Sequence, residues 1–403
     1  MSSLADRRFA RQRHERPVTV VGAGPAGLAC AIALVRAGRD VVVRERHAEV
    51  GHRFHGDFQG LENWSDDADV LHEFATAGIA ATFEHHPVAH GTLFDARGRR
   101  LAVHGGRPLF YLVRRGCQAG SLDRALFEQA RALGVEVRFG DPVDTADQAG
   151  VLAAGPRIPD AIAAGYIFET DLADGAFLAL DDRLAPLGYA YLLVQSGRGT
   201  VASCMFTGFK EQAEHVAQTV AFFCEQAGLV MKNPRPFGGF VNFHLPRTAM
   251  QGGHPVVGEQ AGFQDALAGF GMRYALRSGL LAARSLIENI SYEELWRREL
   301  APLLRVGVVN RFLFNALGQT GRRLAINKLS GADAGLVLRR FYRPSLLSRL
   351  LFPIARFHYR RPLRDRSCDH IDCPCVWCEH GADEAAPIVC AEADRVIPFH
   401  RRA

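Results

Sequence analysis

Residues 22–27, Gly-Ala-Gly-Pro-Ala-Gly, have the composition and spacing of a turn that can hold a phosphate group. Gly22 permits a tight turn, Gly24 lets the backbone approach a pyrophosphate, and Gly27 allows the following helix to pack closely on the preceding strand. The N-terminus of that helix offers N–H groups and the positive end of its dipole to an anion. The order strand, turn, helix therefore predicts a dinucleotide site. Its predicted phosphate-end residues are Gly22, Gly24, Pro25, Ala26 and Gly27.

A carboxylate follows at the distance that a dinucleotide site requires. The predicted second strand, residues 40–44, ends at Glu45, which lies eighteen positions after Gly27. A carboxylate there accepts hydrogen bonds from both ribose hydroxyls of an adenosine, and its charge repels a 2′-phosphate. Glu45 therefore predicts an adenine dinucleotide that lacks the extra phosphate.

The composition is that of an ordinary globular protein. The 403 residues are 48% hydrophobic and 23% charged, and glycine and proline follow no strict triplet period, which excludes collagen-like chains and extended disorder. The apolar stretch 18–35 is interrupted by glycine and proline and is a poor membrane span. We expect a cytoplasmic protein with no nucleic-acid partner, although arginines crowd both the N-terminus and residues 339–366.

A second glycine-rich segment lies far downstream. Residues 258–262 read Gly-Glu-Gln-Ala-Gly, and residues 269–272, Gly-Phe-Gly-Met, open a long helix. The two segments together resemble the glutathione-reductase-type FAD flavoproteins, and within them the geranylgeranyl reductase family. The resemblance implies that the first segment holds the ADP half of FAD and the second the ribityl and flavin end. Glu259 stands where that family usually has aspartate.

The resemblance continues between these two segments. Arg114-Arg115 with residues 121–126 is similar to the family's pattern that opens a helix before a strand. Residues 151–155 are similar to its strand beside FAD, and the polar loop 51–64 is similar to the chain that passes over FAD. The additional residues that these matches assign to cofactor binding are Arg53, Arg114, Gly155, Gly258, Glu259, Gly262, Gly271 and Met272.

The implied substrate is hydrophobic. Tyr189 and Tyr191 stand where geranylgeranyl reductases carry Tyr-x-Trp-x-Phe-Pro on their substrate sheet. The chain lacks the Asp-Gly and the late histidine of aromatic hydroxylases of this fold. Both features imply reduction of carbon–carbon double bonds in an isoprenoid or other hydrophobic molecule, with an unidentified electron donor and no assigned catalytic residue. The alternatives are an FAD-dependent aromatic monooxygenase, a quinone-linked electron-transfer flavoprotein, and a Rab-escort-type lipid-binding scaffold without flavin.

The expected fold class is α/β, with an FAD-binding Rossmann-like domain, an inserted antiparallel sheet and a helical C-terminal region. β-rich runs separated by turn residues lie between residues 165 and 206, which favours antiparallel pairing. The expected division is a discontinuous FAD-binding domain at 17–160 and 250–300, a substrate domain at 161–249, a helical region at 301–366 and a cysteine-rich tail at 367–403.

The tail could hold a metal. Cys368, Cys373, Cys375 and Cys378 lie within eleven residues, together with His370. Zinc takes four tetrahedral sulfur or nitrogen ligands, which this segment can supply. The spacing differs from the common ferredoxin pattern, although the related quinone-linked flavoproteins carry an iron–sulfur module. We expect zinc, with an iron–sulfur cluster or an unligated thiol tail as alternatives.

Residues 303–359 mix apolar residues with arginines. Basic amphipathic helices of this kind lie in a bilayer interface, whereas the alternative is a helical subdomain packed on the FAD-binding domain. The first interpretation predicts a peripheral protein at the inner face of the membrane. Pro353 predicts a break in any long helix there.

Overall fold

The computed structural model describes residues 17–143, 150–156, 160–243, 245–328 and 331–358. Its strands, in chain order, are β1 Val18–Val21, β2 Val41–Arg44, β3 Phe58–Glu62, β4 His85–Val88, β5 His90–Phe94, β6 Arg100–His104, β7 Phe110–Arg114, β8 Glu136–Arg138, β9 Val151–Leu152, β10 Ala161–Glu169, β11 Gly175–Ala179, β12 Tyr189–Gln195, β13 Arg198–Met205, β14 Lys232–Val241, β15 Met250–Gln251 and β16 His254–Pro255.

The helices connect and cover these strands. They are α1 Pro25–Arg36, α2 Val70–Thr76, α3 Leu122–Ala132, α4 Gln212–Ala227, α5 Met272–Glu288, α6 Tyr292–Glu299, α7 Ala301–Lys328, α8 Ala334–Tyr342 and α9 Leu346–His358. Short 3₁₀ turns lie at Phe209–Glu211 and Gly258–Ala261. The backbone of α7 leaves the helical conformation at Gly318, which divides this helix into two parts.

A parallel sheet forms the base of the nucleotide-binding part. Its order is β8-β2-β1-β9, and β1 pairs in parallel with both β2 and β9. The β-branched residues Val20 and Val43 are fully buried in it, as expected for a sheet with helices against it. The expected α/β class with a Rossmann-like arrangement is confirmed.

A seven-stranded sheet, ordered β14-β10-β13-β12-β11-β5-β6, forms the second layer. Most of its pairs are antiparallel, as the turn-separated runs predicted. Its extent differs from the expected substrate domain at 161–249, because β5 and β6 from residues 90–104 also join it. The pair β11 and β5 is parallel, and it covers an edge of β11 that would otherwise present unpaired N–H and C=O groups.

The C-terminal helices pack on both layers. The first part of α7 buries Leu304, Val306 and Val309 against the body of the protein. Among the described residues, no single helix has the length and hydropathy of a membrane span, whereas the bent pair α6 and α7 meets both criteria together. Pro353 lies inside α9, so the predicted break is absent. A proline removes one helical hydrogen bond, and α9 continues beyond it while packed on α7.

A buried ion pair ties β7 to α3. The Arg115 guanidinium donates two hydrogen bonds to the Asp123 carboxylate at 2.8 and 2.9 Å, and the Gly116 amide donates a third at 3.0 Å. The neighbouring Arg114 forms its ion pair with Glu84, whose side chain is 42% exposed. The two adjacent arginines therefore hold their partners in very different surroundings.

We expect Asp123→Ala to destabilise the protein by about 3–5 kcal/mol, because it leaves the buried Arg115 charge without its partner. The matched control, Glu84→Ala, removes the exposed partner of Arg114 and should change stability by no more than about 1 kcal/mol. Urea denaturation of both variants measures the difference. Equal losses would contradict this account of the pair.

Candidate functional site

One cavity of about 850 Å³ connects both glycine-rich segments with the seven-stranded sheet. Gly24 and Glu45 lie on its polar wall, next to the parallel sheet. Apolar side chains from β7, β12, α8 and the segment that precedes α5 line the opposite part, which we call the apolar end: Phe110, Leu193, Phe270, Val337 and Leu338. The cavity therefore has a polar part with backbone groups and an apolar part with aromatic and aliphatic groups.

The first glycine turn has the geometry that its composition predicts. Gly22 has a φ of +106°, and a Cβ at this position would lie 2.3 Å from the Ala153 carbonyl oxygen. A Cβ at Gly27 would lie 2.0 Å from the Gly22 carbonyl oxygen. A Cβ at Gly24, in contrast, would have no described atom within 4 Å. Gly22 and Gly27 therefore serve backbone packing, whereas Gly24 borders the open space of the cavity.

Glu45 is fixed at the end of β2. Its Oε2 accepts a hydrogen bond from the Ala23 amide at 2.8 Å, and its Oε1 accepts one from the His47 amide at 2.9 Å. These two bonds orient the carboxylate beside the glycine turn. The remaining lone pairs of each oxygen are available to ribose hydroxyls.

The second glycine turn is held against α1 by α5. The Gly258 amide donates to the buried Ser278 hydroxyl at 2.9 Å. A Cβ at Gly279 would lie 2.1 Å from the Ala26 carbonyl oxygen, so α1 and α5 approach each other backbone to backbone. Among the described residues, no side chain caps α1 at Gly24 or α5 at Gly271, and both caps line the cavity. Two helix N-termini therefore face the same space.

The side chain of Glu259 is long enough to reach Arg53 across the cavity wall. The Arg53 Nη1 donates to Glu259 Oε2 at 2.9 Å, and Arg53 Nη2 donates to the Phe240 carbonyl at 2.8 Å. The adjacent Gln260 accepts a hydrogen bond from the Ala154 amide at 2.7 Å through its side-chain oxygen. These bonds join the loop 51–64, the second turn and the end of β14 around the middle of the cavity.

Most of the cofactor residues predicted from the sequence line the wall of this cavity. Of those in the described part of the chain, three do not line it. Gly27 packs α1 on β1, Gly262 ends the 3₁₀ turn with a φ of +79°, and Arg114 binds Glu84. Arg115 lines the cavity in place of Arg114. The predicted residues that line the wall are Gly22, Gly24, Pro25, Ala26, Glu45, Arg53, Gly155, Gly258, Glu259, Gly271, Met272, Tyr189 and Tyr191.

Tyr189 and Tyr191 lie on the wall between the polar part and the apolar end. The Tyr189 hydroxyl donates to the Ala268 carbonyl at 2.5 Å. Burial raises the pKa of both phenols well above the ordinary value, so both keep their protons at neutral pH. Trp64 and Phe270 pack edge to face nearby with ring centroids 4.7 Å apart.

Two buried polar atoms on this wall have no hydrogen-bond partner among the described residues: Trp64 Nε1, a donor, and Gln264 Oε1, an acceptor. Leaving a buried polar atom unpaired costs about 1–3 kcal/mol, so such atoms are expected where a ligand supplies the partner. Trp64 is the last residue of the polar loop 51–64, whereas no sequence pattern pointed to Gln264. Gln264 lies next to Gly271 only in the folded chain.

Arg311 is a functional candidate that sequence reasoning missed. It is fully buried, lines the cavity and stacks on the Phe206 ring with its guanidinium carbon 3.6 Å from the ring centre. It donates to the Ala266 carbonyl at 2.9 Å and the Leu187 carbonyl at 2.7 Å. Burial lowers the pKa of Arg311 to about 9, which still leaves the side chain charged at neutral pH. Arg311 thus ties α7 to the loop behind the second glycine turn.

The predicted metal ligands Cys368, Cys373, Cys375 and Cys378 lie outside the described residues. Within the described part of the chain, no group of three or more His, Cys, Asp or Glu side chains could hold a metal ion.

The polar part fits FAD. Gly24 leaves open space next to an uncapped helix N-terminus, as a pyrophosphate requires, and Glu45 lies beside it for a ribose. The second uncapped N-terminus, at Gly271, and the unpaired atoms of Trp64 and Gln264 suit a polar ring system further along the cavity.

Comparisons with known proteins agree with this fit. The FAD binding domain family matches residues 15–155. The chain is 32% identical over 118 residues to the tRNA 5-methylaminomethyl-2-thiouridine biosynthesis bifunctional protein MnmC of Magnetococcus marinus, a match that covers 28% of this chain and 16% of that protein. It is 31% identical over 156 residues to digeranylgeranylglycerophospholipid reductase 2 of Methanopyrus kandleri, covering 35% of this chain and 37% of that protein. The chain thus spans well under half the length of either curated relative.

Solved structures show the same fold over most of the chain. A geranylgeranyl bacteriochlorophyll reductase-like protein of Thermoplasma acidophilum superposes with a TM-score of 0.58 at 16% identity, covering 86% of this chain and 97% of that one. A probable FAD-dependent monooxygenase of Pseudomonas aeruginosa, pqsL, gives 0.58 at 16% identity, covering 77% and 99%. The resemblance to geranylgeranyl reductases seen in the sequence is therefore confirmed, and reductase-like and monooxygenase proteins share the fold. The chain therefore has the fold that these flavoproteins share, and residues 15–155 match the FAD binding domain family.

Proposed function

We propose that the protein is an FAD-dependent oxidoreductase that reduces carbon–carbon double bonds of an isoprenoid or other hydrophobic molecule. The observation that carries the proposal is the continuity of one cavity. Its polar part has the helix N-termini and the carboxylate that FAD requires. Its apolar end, lined by Phe110, Leu193 and Val337, can hold a hydrocarbon chain. The partial match to a digeranylgeranylglycerophospholipid reductase supports the same substrate class.

The residues of the chain have binding and orienting roles in this proposal. FAD held in the polar part would, when reduced, supply two electrons as a hydride to one carbon of the double bond, and a proton from solvent would go to the other carbon. Gly24 and Glu45 hold the nucleotide end, and Arg53 with Glu259 borders the middle of the cavity. Tyr191 holds its proton on a buried phenol beside the apolar end. The aromatic side chains around Phe270 would give the reacting groups an apolar surrounding.

We expect Gly24→Ala to lower FAD affinity at least about tenfold without loss of fold, because the added methyl group enters the space for the pyrophosphate. Gly27→Ala is the matched control: its methyl group would meet the Gly22 carbonyl and should destabilise the apoprotein by about 3 kcal/mol. Flavin fluorescence titration and thermal unfolding of both apoproteins separate the two effects. Unchanged FAD affinity in Gly24→Ala would refute the assignment of this turn to the cofactor.

We expect photoreduced protein to be reoxidised anaerobically by an isoprenoid with isolated double bonds, with a hydrogenated product identified by mass spectrometry. Val337→Trp fills the apolar end and should slow this reoxidation at least about tenfold, while FAD content stays unchanged. Leu336→Trp, on the neighbouring residue of α8, whose side chain is 60% exposed and lies off the wall, is the matched control.

Three outcomes would overturn the proposed reaction. The first is substrate-stimulated NADPH oxidation in air with a hydroxylated product, which identifies a monooxygenase. The second is purified protein that neither contains FAD nor takes it up, which identifies a lipid-binding scaffold. Rapid reduction of a quinone by the flavin without hydrogenated product would instead identify a quinone-linked electron-transfer flavoprotein.

We further propose that Cys368, Cys373, Cys375 and Cys378 bind one metal ion, zinc by preference. The density of thiols supports this proposal, because four adjacent thiolates repel one another unless a cation offsets their charge. Elemental analysis should give close to one zinc per chain and no acid-labile sulfide. Cys373→Ser with Cys375→Ser should release the zinc without bleaching the flavin. If iron and sulfide are found instead, the tail holds an iron–sulfur cluster and not zinc. If no metal is found under reducing conditions, both the zinc and the iron–sulfur assignments are refuted.

A further inference from the structure

The helix α9 has apolar side chains on both its inner and its outer face. Its inner face, with Leu351, Phe352 and Ala355, packs against α7 in a small core cluster. Its outer face is also apolar, although it lies in solvent. The residues of this outer face are Leu346, Leu350, Ile354 and Phe357, with side chains 76%, 74%, 52% and 77% exposed.

The spacing makes the outer face a continuous stripe. Residues 346, 350, 354 and 357 are separated by four, four and three positions, which places them on one side of a helix. Arg349 and Arg356 each precede a member of this stripe by one position and are exposed beside it. A surface helix normally exposes polar residues here, and a large exposed apolar stripe marks a surface that another apolar body covers.

The charge around the stripe identifies that body. Residues 334–358 contain five arginines and no aspartate or glutamate. An apolar stripe bordered by arginines matches an anionic lipid surface, where the apolar side chains enter the acyl region and the guanidinium groups remain among the headgroups. A second copy of this chain would place arginines opposite arginines, which is unfavourable.

We propose that the outer face of α9 docks the protein on an anionic membrane. Docking through α9 would also bring the apolar end of the cavity close to the membrane. The α7–α8 segment, which directly precedes α9, lines that end with Ile326, Ala332 and Val337, and Ala332 is exposed to solvent. A membrane-bound hydrophobic substrate would thus reach the cavity without crossing water. This last step rests on the proposed function, whereas docking itself does not.

The experiment is flotation of the FAD-loaded full chain with vesicles of phosphatidylcholine, with and without phosphatidylglycerol. We expect binding only to the anionic vesicles and its weakening by salt. Leu350→Asp with Phe357→Asp should reduce partitioning roughly 100-fold, because two inserted apolar side chains are lost. Arg349→Gln with Arg356→Gln, which leaves the apolar stripe intact, should reduce it roughly 10-fold or more on anionic vesicles.

The matched control is Val230→Asp, which places the same charge on an apolar residue that is 51% exposed, outside the C-terminal helices. It should float like the unaltered protein, and bound flavin in every variant verifies the fold. Equal flotation of the α9 variants and the unaltered protein would overturn the proposal. A lipid-independent dimer that Leu350→Asp with Phe357→Asp converts to a monomer would also overturn it, in favour of a second copy. Flotation without reduction of any isoprenoid would refute the proposed reaction and leave the docking surface in place.

Discussion

The structure of the site depends on a backbone contact between two helices. Gly279 in α5 lies so close to the Ala26 carbonyl of α1 that even one methyl group would not fit between them. This approach brings the second glycine turn next to the first and directs the N-termini of both helices into one cavity. Because these N-termini are far apart in the chain, the polar part of the cavity is a property of the packed helices and of neither segment alone.

The two parts of the cavity are held by different physical means. Around the polar part, backbone amides and short hydrogen bonds to carboxylates fix the positions, as at Glu45 and at the Arg53–Glu259 pair. Around the apolar end, packing of aromatic rings and helix α8 sets the shape. Arg311 joins the two, because it binds carbonyls of the loop beside the second turn and stacks on Phe206, which follows β13 of the seven-stranded sheet. One side chain of α7 therefore contacts both parts.

Local sequence patterns were sufficient for local features. The turn at Gly22–Gly27, the carboxylate Glu45 and the helix that residues 121–126 open all depend on neighbours in the chain, and all were predicted. The joining of β5 and β6 to the large sheet and the choice of Arg115 over Arg114 depend on contacts between distant segments. A glycine inside a helix, such as Gly279, reads in sequence only as a weak helix former. Its role appears once Ala26 lies against it.

The burial of α1 has a consequence for synthesis of the protein. Eight of its twelve residues are buried, in part under α5, which leaves the ribosome much later. A nascent chain that ends before α5 therefore carries a finished glycine turn on an uncovered apolar helix, a natural ligand for chaperones. The polar part of the cavity also needs Gly258 and Gly271 from this later segment, so it forms only after α5 has been synthesised. FAD would then stabilise the folded chain by mass action, because it binds the folded form alone.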